Sequence, residues 1–273
     1  MSGVRRTLKP WALVTVAQVG LVSLTAGCTG LSTTGTIGAS GTTPAGPAST
    51  IPATTVITPT PIQAANGGGY ATNLIPAGAW IQASQIPLYG SYHWESPSSV
   101  DKQATNPHSF SLSADCQTQL NNDDQGTVNG FPAATALIKP TTGGAAGDND
   151  WLAEEQIIAA PDFSSGSIQS LSAVFTDLVA QAAACGTVTR GAHVSVGTST
   201  GSEYSATLTI PTSTGATLTV HEFLAMPYGY LVEFTEWVAP FSGNQPNVAW
   251  SGSTDGSVLA ALQTGPCAIS KQC

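Results

Sequence analysis

Positive charge is nearly absent from this chain, which has seven Lys and Arg residues against 16 Asp and Glu residues. Three of those cations lie within the first nine residues, and only four follow. An acidic chain with so few cations is a poor ligand for phosphate backbones and cannot hold an anionic membrane by electrostatics. The composition therefore excludes nucleic-acid binding and purely electrostatic attachment to a membrane.

Charged side chains of either sign are missing between Trp11 and Trp94. The apolar run at 11–24 is about 14 residues long, short of the roughly 20 that cross a bilayer. A basic segment precedes the run and Ala26-Gly27-Cys28 follows it, which is the layout of a bacterial lipoprotein signal. We predict a signal peptide over 1–27 and lipidation of Cys28 by acyl chains such as palmitate. The alternatives are an ordinary secretory signal with a chance cysteine, or an uncleaved anchor.

Large apolar side chains are scarce from 28 to 69, where Thr, Ser, Gly, Pro and Ala dominate. Such a segment cannot bury enough surface to offset chain entropy, so we predict a disordered tether that is suited to O-glycosylation. The tether would hold a folded domain over 70–273 at the extracytoplasmic face of the cell membrane, with the lipid as its only attachment. The Ala, Gly and Thr richness favours an actinobacterial source.

The sequence has no C-x-x-C motif, which makes zinc the weaker interpretation of its cysteines. Four cysteines follow Cys28, and an even number in an exported chain predicts two disulfides. Three connectivities are possible. We favour Cys116–Cys185 together with Cys267–Cys273.

Hydrophobic periodicity predicts an α+β domain, an antiparallel sheet with helices packed on one face. Apolar residues at three- and four-residue steps indicate a helix over 167–185, capped by Ser164 or Ser165 and ended by Gly186, and a shorter helix is expected over 257–263, capped by Asp255. Residues rich in Thr, Val, Leu, Phe and Tyr indicate a meander of three strands. The strands of the meander are 203–210, 216–225 and 230–238, and further strands are expected at 133–138, 151–159 and 188–196.

Several of these segments together resemble the PknH-like extracellular sensor domain family of actinobacterial lipoproteins and receptor kinases. The start of that family resembles Leu74-Ile75-Pro76 through Gln85-Ile86-Pro87-Leu88 to Trp94, followed by Cys116. Its strand-then-helix unit ending in cysteine resembles 151–185, and its apolar ending resembles the meander. The resemblance implies pairing of the first cysteine with the second and the third with the fourth. It also implies a non-catalytic domain that binds an unidentified extracellular ligand in a cleft. The family's Trp-x-Cys is replaced here by Gly265-Pro266-Cys267.

A set of residues that could carry catalysis is not evident. Gly197-Thr198-Ser199-Thr200-Gly201 matches the G-x-S-x-G pattern of hydrolases, but a strand rather than a helix is predicted after it, so a hairpin loop is favoured. His221-Glu222 begins an H-E-x-x-H motif that fails at Ala225. His221 is expected on the polar face of its strand, paired with Glu233 or Glu236. A cell-wall ester hydrolase that uses Ser199 with His193 or His221 remains an alternative.

Neither a metal nor a cofactor is predicted. Asp123-Asp124 and Asp148-Asn149-Asp150 supply oxygens of the kind calcium prefers, but they lack the EF-hand glycine and are interpreted as solvated turns. Aromatic residues cluster near the domain entrance and favour either a core edge or the recognition of a sugar or apolar ligand. The ligand-cleft candidates are Trp94, Tyr92, His221 and Trp237, with Trp80, Tyr89 and Trp250 as further aromatic residues of uncertain role.

The sequence thus favours a non-catalytic, lipid-anchored domain that binds an envelope ligand or partner. The two alternatives are the hydrolase and an envelope spacer or surface antigen that binds no small ligand. A pocket larger than about 300 Å³ would favour a binding function over a spacer.

Overall fold

The computed structural model describes residues 75–99, 109–142, 149–212, 215–240, 244–251 and 254–270. Every described residue belongs to one compact unit, Ile62–Cys273. The predicted signal peptide, Cys28, the whole of the predicted tether and the predicted domain boundary at residue 70 lie outside the described residues.

The described residues form an α+β fold around one six-stranded antiparallel sheet, as the sequence predicts. The strand order is β1-β2-β6-β5-β4-β3, so the meander β4–β5–β6 lies between β2 and the edge strand β3. The strands are β1 (Ala133–Ile138), β2 (Leu152–Ala159), β3 (His193–Ser199), β4 (Glu203–Pro211), β5 (Thr217–Ala225) and β6 (Tyr230–Val238). The pairing of β3 with β4 shifts register between Val196 and Ser199.

Five α-helices accompany the sheet in the described residues. They are α1 (Tyr89–Tyr92), α2 (Ser111–Asp115), α3 (Asn122–Gly130), α4 (Ser165–Val188) and α5 (Asp255–Ser270), with two 3-10 turns at Ala77–Ala79 and Ala83–Gln85. We call the side of the sheet covered by α2, α3 and α4 the back face. The opposite side, the front face, is covered by residues 75–94, residues 244–251 and α5.

The long helix α4 forms the core of the back face, as its periodicity predicts. Leu171, Phe175 and Leu178 are buried against apolar side chains of β4, β5 and β6. Ser164 caps the helix by accepting a hydrogen bond from the backbone N–H of Ser167. The Cys116–Cys185 disulfide ties the end of α2 to the last turns of α4, which confirms that pairing.

By length and composition α4 is the one described helix that could cross a membrane. Its apolar side is instead occupied by the sheet.

Several boundaries differ from the sequence prediction. Helix α4 continues past Gly186 to Val188, because Gly186 does not adopt the left-handed conformation that ends a helix and the chain turns only at Gly191, where φ is 79°. Strand β3 begins at His193 rather than at 188 for the same reason. Helix α5 extends to Ser270, and Asp255 does not cap it. The Asp255 carboxylate accepts a hydrogen bond from Ser205 on β4, while Thr254 supports the first turn.

Only one cysteine of the second predicted disulfide belongs to the described residues. Cys267 lies in α5 and is disulfide-bonded, but Cys273 lies outside the described residues. The pairing of Cys267 with Cys273 therefore stays a prediction.

Candidate functional site

Tyr92 and Trp94 are brought to the front face by a tightly bent segment. Leu88 and His93 adopt left-handed backbone conformations with φ of 59° and 44° on either side of α1, and non-glycine residues rarely do so. The Trp94 indole donates a hydrogen bond to the carbonyl of Pro87 at 2.6 Å. The rings of Tyr92 and Trp94 lie 4.9 Å apart, and both side chains are buried. The two left-handed residues thus produce the bend that positions the rings of Tyr92 and Trp94.

His221 lies near the middle of β5 on the front face and is 9% exposed. Its Nδ1 is 3.1 Å from the hydroxyl of Thr207 on β4. One side of the imidazole stacks on Trp250, with ring centres 3.5 Å apart and planes within 10°. The ring centre of Trp151 lies 5.4 Å from that of His221. Burial lowers the pKa of His221 to about 4, against a smaller raising effect of Asp255, so the imidazole is neutral at physiological pH.

Glu236 is directly opposite His221 in the β5–β6 register and has no exposed surface. Neither of its carboxyl oxygens has a hydrogen-bond partner. Burial raises the pKa of Glu236 well above its ordinary value, so the group is held as the neutral acid. Glu236 and His221 are thus opposite each other in the strand register, as expected, but the hydrogen bond of His221 is made with Thr207 and not with Glu236.

Residues 244–251 form a strap across this part of the front face. The Trp151 indole donates to the carbonyl of Val248 at 2.9 Å, and the side-chain amide of Asn247 donates to Asp150 at 2.8 Å. The strap carries Trp250 onto both His221 and Trp151. Tyr92 joins the same centre through its hydroxyl, which lies 3.4 Å from Asp150 and from the backbone N–H of Trp151. The strap therefore closes an aromatic centre over the front-face side chains of the sheet, Glu236 among them.

We name this the aromatic centre. Its members are Tyr92, Trp94, Trp151, His221, Glu236 and Trp250. Three of the four predicted ligand-cleft residues belong to it. The fourth, Trp237, points to the back face because it alternates with Glu236 along β6, so the prediction that grouped it with the others is not supported by its position.

The back face also buries carboxyl groups, but each of them has at least one hydrogen-bond partner, and only Oε1 of Glu222 lacks one. Glu233 accepts hydrogen bonds from the backbone N–H groups of Ser111 and Leu112 at 3.1 and 3.0 Å, at the start of α2. Glu222 accepts from the Thr235 hydroxyl at 2.9 Å. Burial raises the pKa of Glu233 to about 8 and that of Glu222 well above its ordinary value. Glu233 therefore attaches α2 to the sheet, whereas Glu222 links β5 to β6.

A groove of about 520 Å³ lies between α2 and α3 on the outer side of that attachment. Its described lining has no ionisable side chain. The lining residues are Ser109, Phe110, Ser113, Ala114, Thr118, Gln119, Leu120, Asn122, Gln125 and Asn129. A second cavity of about 250 Å³ lies between the 3-10 turns and α5.

The residues proposed for hydrolysis are not assembled. Ser199 ends β3 at the exposed sheet edge, two strands away from His221 on β5, and His193 is exposed at the other end of β3. Gly197 is required for packing: a Cβ there would lie 1.9 Å from the Asp255 carboxylate. The first glycine of the G-x-S-x-G match is thus explained by the approach of α5.

The acidic loop pairs act in local structure. Asp123 and Asp124 form the first turn of α3, where their backbone N–H groups donate to the side chain of Asn121. Asp150 accepts from Tyr92 and Asn247, and Asp148 lies outside the described residues. No group of three potential ligands suited to a metal ion occurs in the described part of the chain.

Sequence reasoning missed part of the aromatic centre. The sequence predicts Trp151 within a strand and Trp250 within no element, and it does not predict the burial of Glu236. One signal was present: β6 reads Tyr-Leu-Val-Glu-Phe-Thr-Glu-Trp-Val, which is apolar on both faces and indicates a strand covered on both sides. The contact of Trp250 with His221 has no local sequence signal.

The fold and site define an α+β domain with a closed aromatic centre. No protein-family model and no curated protein sequence matches the chain.

Proposed function

We propose that the chain is a lipid-anchored, extracytoplasmic protein whose domain binds a ligand at the aromatic centre without chemical conversion. The observation that supports this most strongly is the carboxyl group of Glu236, fully buried with both oxygens unpartnered. Burial of a polar group without hydrogen bonds costs about 1–3 kcal/mol, and no contact in the described structure offsets that cost. Buried groups with perturbed pKa values concentrate at functional sites.

The aromatic walls favour binding over a spacer function. Tyr92, Trp151 and Trp250 supply large apolar surfaces with polar edges, as ligand sites commonly do. The α2–α3 groove, at about 520 Å³, lies within the roughly 300–1,000 Å³ expected of a ligand site, and it is the rival location for the same function. Its neutral lining suits a different class of ligand from the aromatic centre.

The binding function is tested by a ligand screen on the full chain in detergent. Glycans, lipids, amines and small metabolites are screened by thermal shift and tryptophan fluorescence on the wild type, on Trp250→Ala and on the groove variant Asn122→Ala. A ligand at 100 times its Kd is expected to add about 2.7 kcal/mol. A response lost in Trp250→Ala but kept in Asn122→Ala supports the aromatic centre, and the reverse pattern supports the groove. Stabilisation by no class would contradict the binding function.

The anchoring part of the proposal rests on the lipobox-like sequence before Cys28. Only a thiol can take the diacylglyceryl group, so Cys28→Ala is expected to abolish lipid attachment. Detergent-phase partitioning and metabolic lipid labelling of the wild type and the variant measure this. Wild-type protein in the aqueous phase, or lipid label that persists in Cys28→Ala, would overturn the lipoprotein proposal while leaving the ligand site untouched.

A further inference from the structure

Glu236 and the rings around it combine two features that recognise one kind of ligand. A buried carboxyl group supplies a single negative charge when it ionises, and aromatic faces attract cations through their quadrupoles. The described part of the chain places neither lysine nor arginine beside Glu236, since both described cations, Lys139 and Arg190, are exposed. Glu236 is therefore a buried acid without a counter-ion.

We propose that the aromatic centre binds an organic cation of the alkylated ammonium type, with Glu236 as its counter-ion and the strap 244–251 as its cover. This names the ligand class of the site in the proposed function and rests on that function. Tyr92, Trp151 and Trp250 provide the aromatic walls, and His221, being neutral, adds no repulsion. The acidic composition of the chain also favours the approach of cations.

Occupation of the site requires the strap to open. Trp250 stacks on His221 in the closed state, so its indole leaves the imidazole to admit the ligand and then covers the ligand as part of the strap. The strap is held to residues 149–151 by the hydrogen bonds of Asn247 and Val248 with Asp150 and Trp151, together with a backbone hydrogen bond from Asn247 to Asn149. The bound state keeps the cation between the rings and the Glu236 carboxylate.

Binding is coupled to ionisation of Glu236. The free site holds the neutral acid, and a bound cation favours the carboxylate, so one proton leaves to the solvent for each cation bound. Affinity therefore rises with pH, up to tenfold per pH unit while Glu236 remains protonated in the free protein. The titratable groups that face this part of the sheet are Tyr92, Asp150, Glu155, His221 and Asp255, and His221 already lacks its proton above about pH 5 because burial lowers its pKa to about 4.

The proposal is tested with choline and its neutral isostere 3,3-dimethylbutan-1-ol. The full chain is used in a detergent without an ammonium headgroup, at constant ionic strength. Choline is expected to change tryptophan fluorescence saturably, and the isostere is expected to bind at least tenfold more weakly. Calorimetry in two buffers of different ionisation enthalpy is expected to show the release of one proton per choline.

Glu236→Gln is the decisive variant, since it keeps the side-chain size and removes the charge. It is expected to weaken choline binding at least tenfold and to abolish proton release. Glu222→Gln, on the neighbouring strand but on the back face, is the matched control and should leave binding unchanged. The proposal is overturned if choline gives no saturable signal, if the isostere binds equally well, or if Glu236→Gln binds choline with wild-type affinity. Binding of a neutral compound that depends on Trp250 would overturn the cation proposal alone and leave the binding function intact.

Discussion

Strand β6 buries two glutamates on opposite faces of the central sheet, and it does so in opposite ways. Strand β6 sends Glu233 to the back face and Glu236 to the front face, and both are buried acids with raised pKa values. Glu233 accepts two backbone hydrogen bonds from α2, whereas both oxygens of Glu236 lack a partner. The difference shows that burial and a raised pKa do not by themselves mark a site, because the partnered glutamate has a structural role.

The disulfide of the back face has the largest expected effect on stability. Cys116 and Cys185 are 69 residues apart, and in the chain-entropy model a bridge of that span contributes about 4 kcal/mol. The double substitution Cys116→Ser/Cys185→Ser is therefore expected to lower the free energy of unfolding by about that amount, measured by urea denaturation. A decrease of less than about 1 kcal/mol in the free energy of unfolding would contradict the conclusion that the disulfide holds α2 to α4.

Rising pH is expected to weaken the domain between pH 6.5 and 8. In this window the unfolded glutamates are ionised, while folded Glu233, with its pKa raised to about 8, still holds its proton, and Glu222 and Glu236 are shifted in the same direction. The folded state binds more protons, so stability falls by up to about 1.4 kcal/mol per pH unit for each retained proton. His221 titrates below this window.

Urea unfolding at several pH values measures that slope, and Glu236→Gln should reduce it. A stability that rises from pH 6.5 to 8 would show that the buried acids of both faces are already ionised.

Opposite effects are expected from the same substitution at the two positions on β6. Glu233→Met leaves the N–H groups of Ser111 and Leu112 unsatisfied and should destabilise the fold by about 1–3 kcal/mol. Glu236→Met removes an unpartnered polar group and should stabilise it by about 1–3 kcal/mol. Thermal or urea unfolding of the two variants gives both values. Effects of the same sign would remove the distinction between the faces.

The smallest expected effect concerns the hydrogen bond between Thr207 and His221. Thr207→Val keeps the side-chain shape and removes the hydroxyl that lies 3.1 Å from Nδ1, which should cost about 1 kcal/mol. Thr209→Val, two residues along the same face of β4, is the control and should have less effect. Equal stability of the two variants, measured by urea unfolding, would show that this hydrogen bond does not hold the imidazole.

The sequence predicts the sheet and α4 well because their patterns are regular. Apolar residues recur at helical steps along α4, and the turns between β4, β5 and β6 contain proline and glycine. Helices α2 and α3 are not predicted from the sequence, because they are short or nearly without apolar residues. Helix α3 buries Val128 and depends on its Asn121 cap and on contact with α4. Such helices are stabilised by tertiary packing rather than by their own pattern.

The aromatic centre could be predicted only in part. Alternation along β5 places His221 with Phe223 on one face, and the structure confirms that alternation. The sequence predicts that this face is polar. In the structure it is buried, because residues 75–94 and α5 cover it. This cover follows no helical or strand period, and the contact of Trp250 with His221 joins positions far apart in the chain. Neither can be derived from local sequence.

The shifted register of edge strand β3 has a consequence for copies held at high local density. An exposed strand edge offers a row of N–H and C=O groups to which a strand of another molecule can add. Beyond Val196 the pairing of β3 with β4 is irregular. The backbone N–H of Thr198 donates to the side-chain hydroxyl of Ser205 rather than to a backbone carbonyl of β4. An irregular edge is a poor template for an intermolecular sheet, so crowded copies are protected against polymerisation along β3.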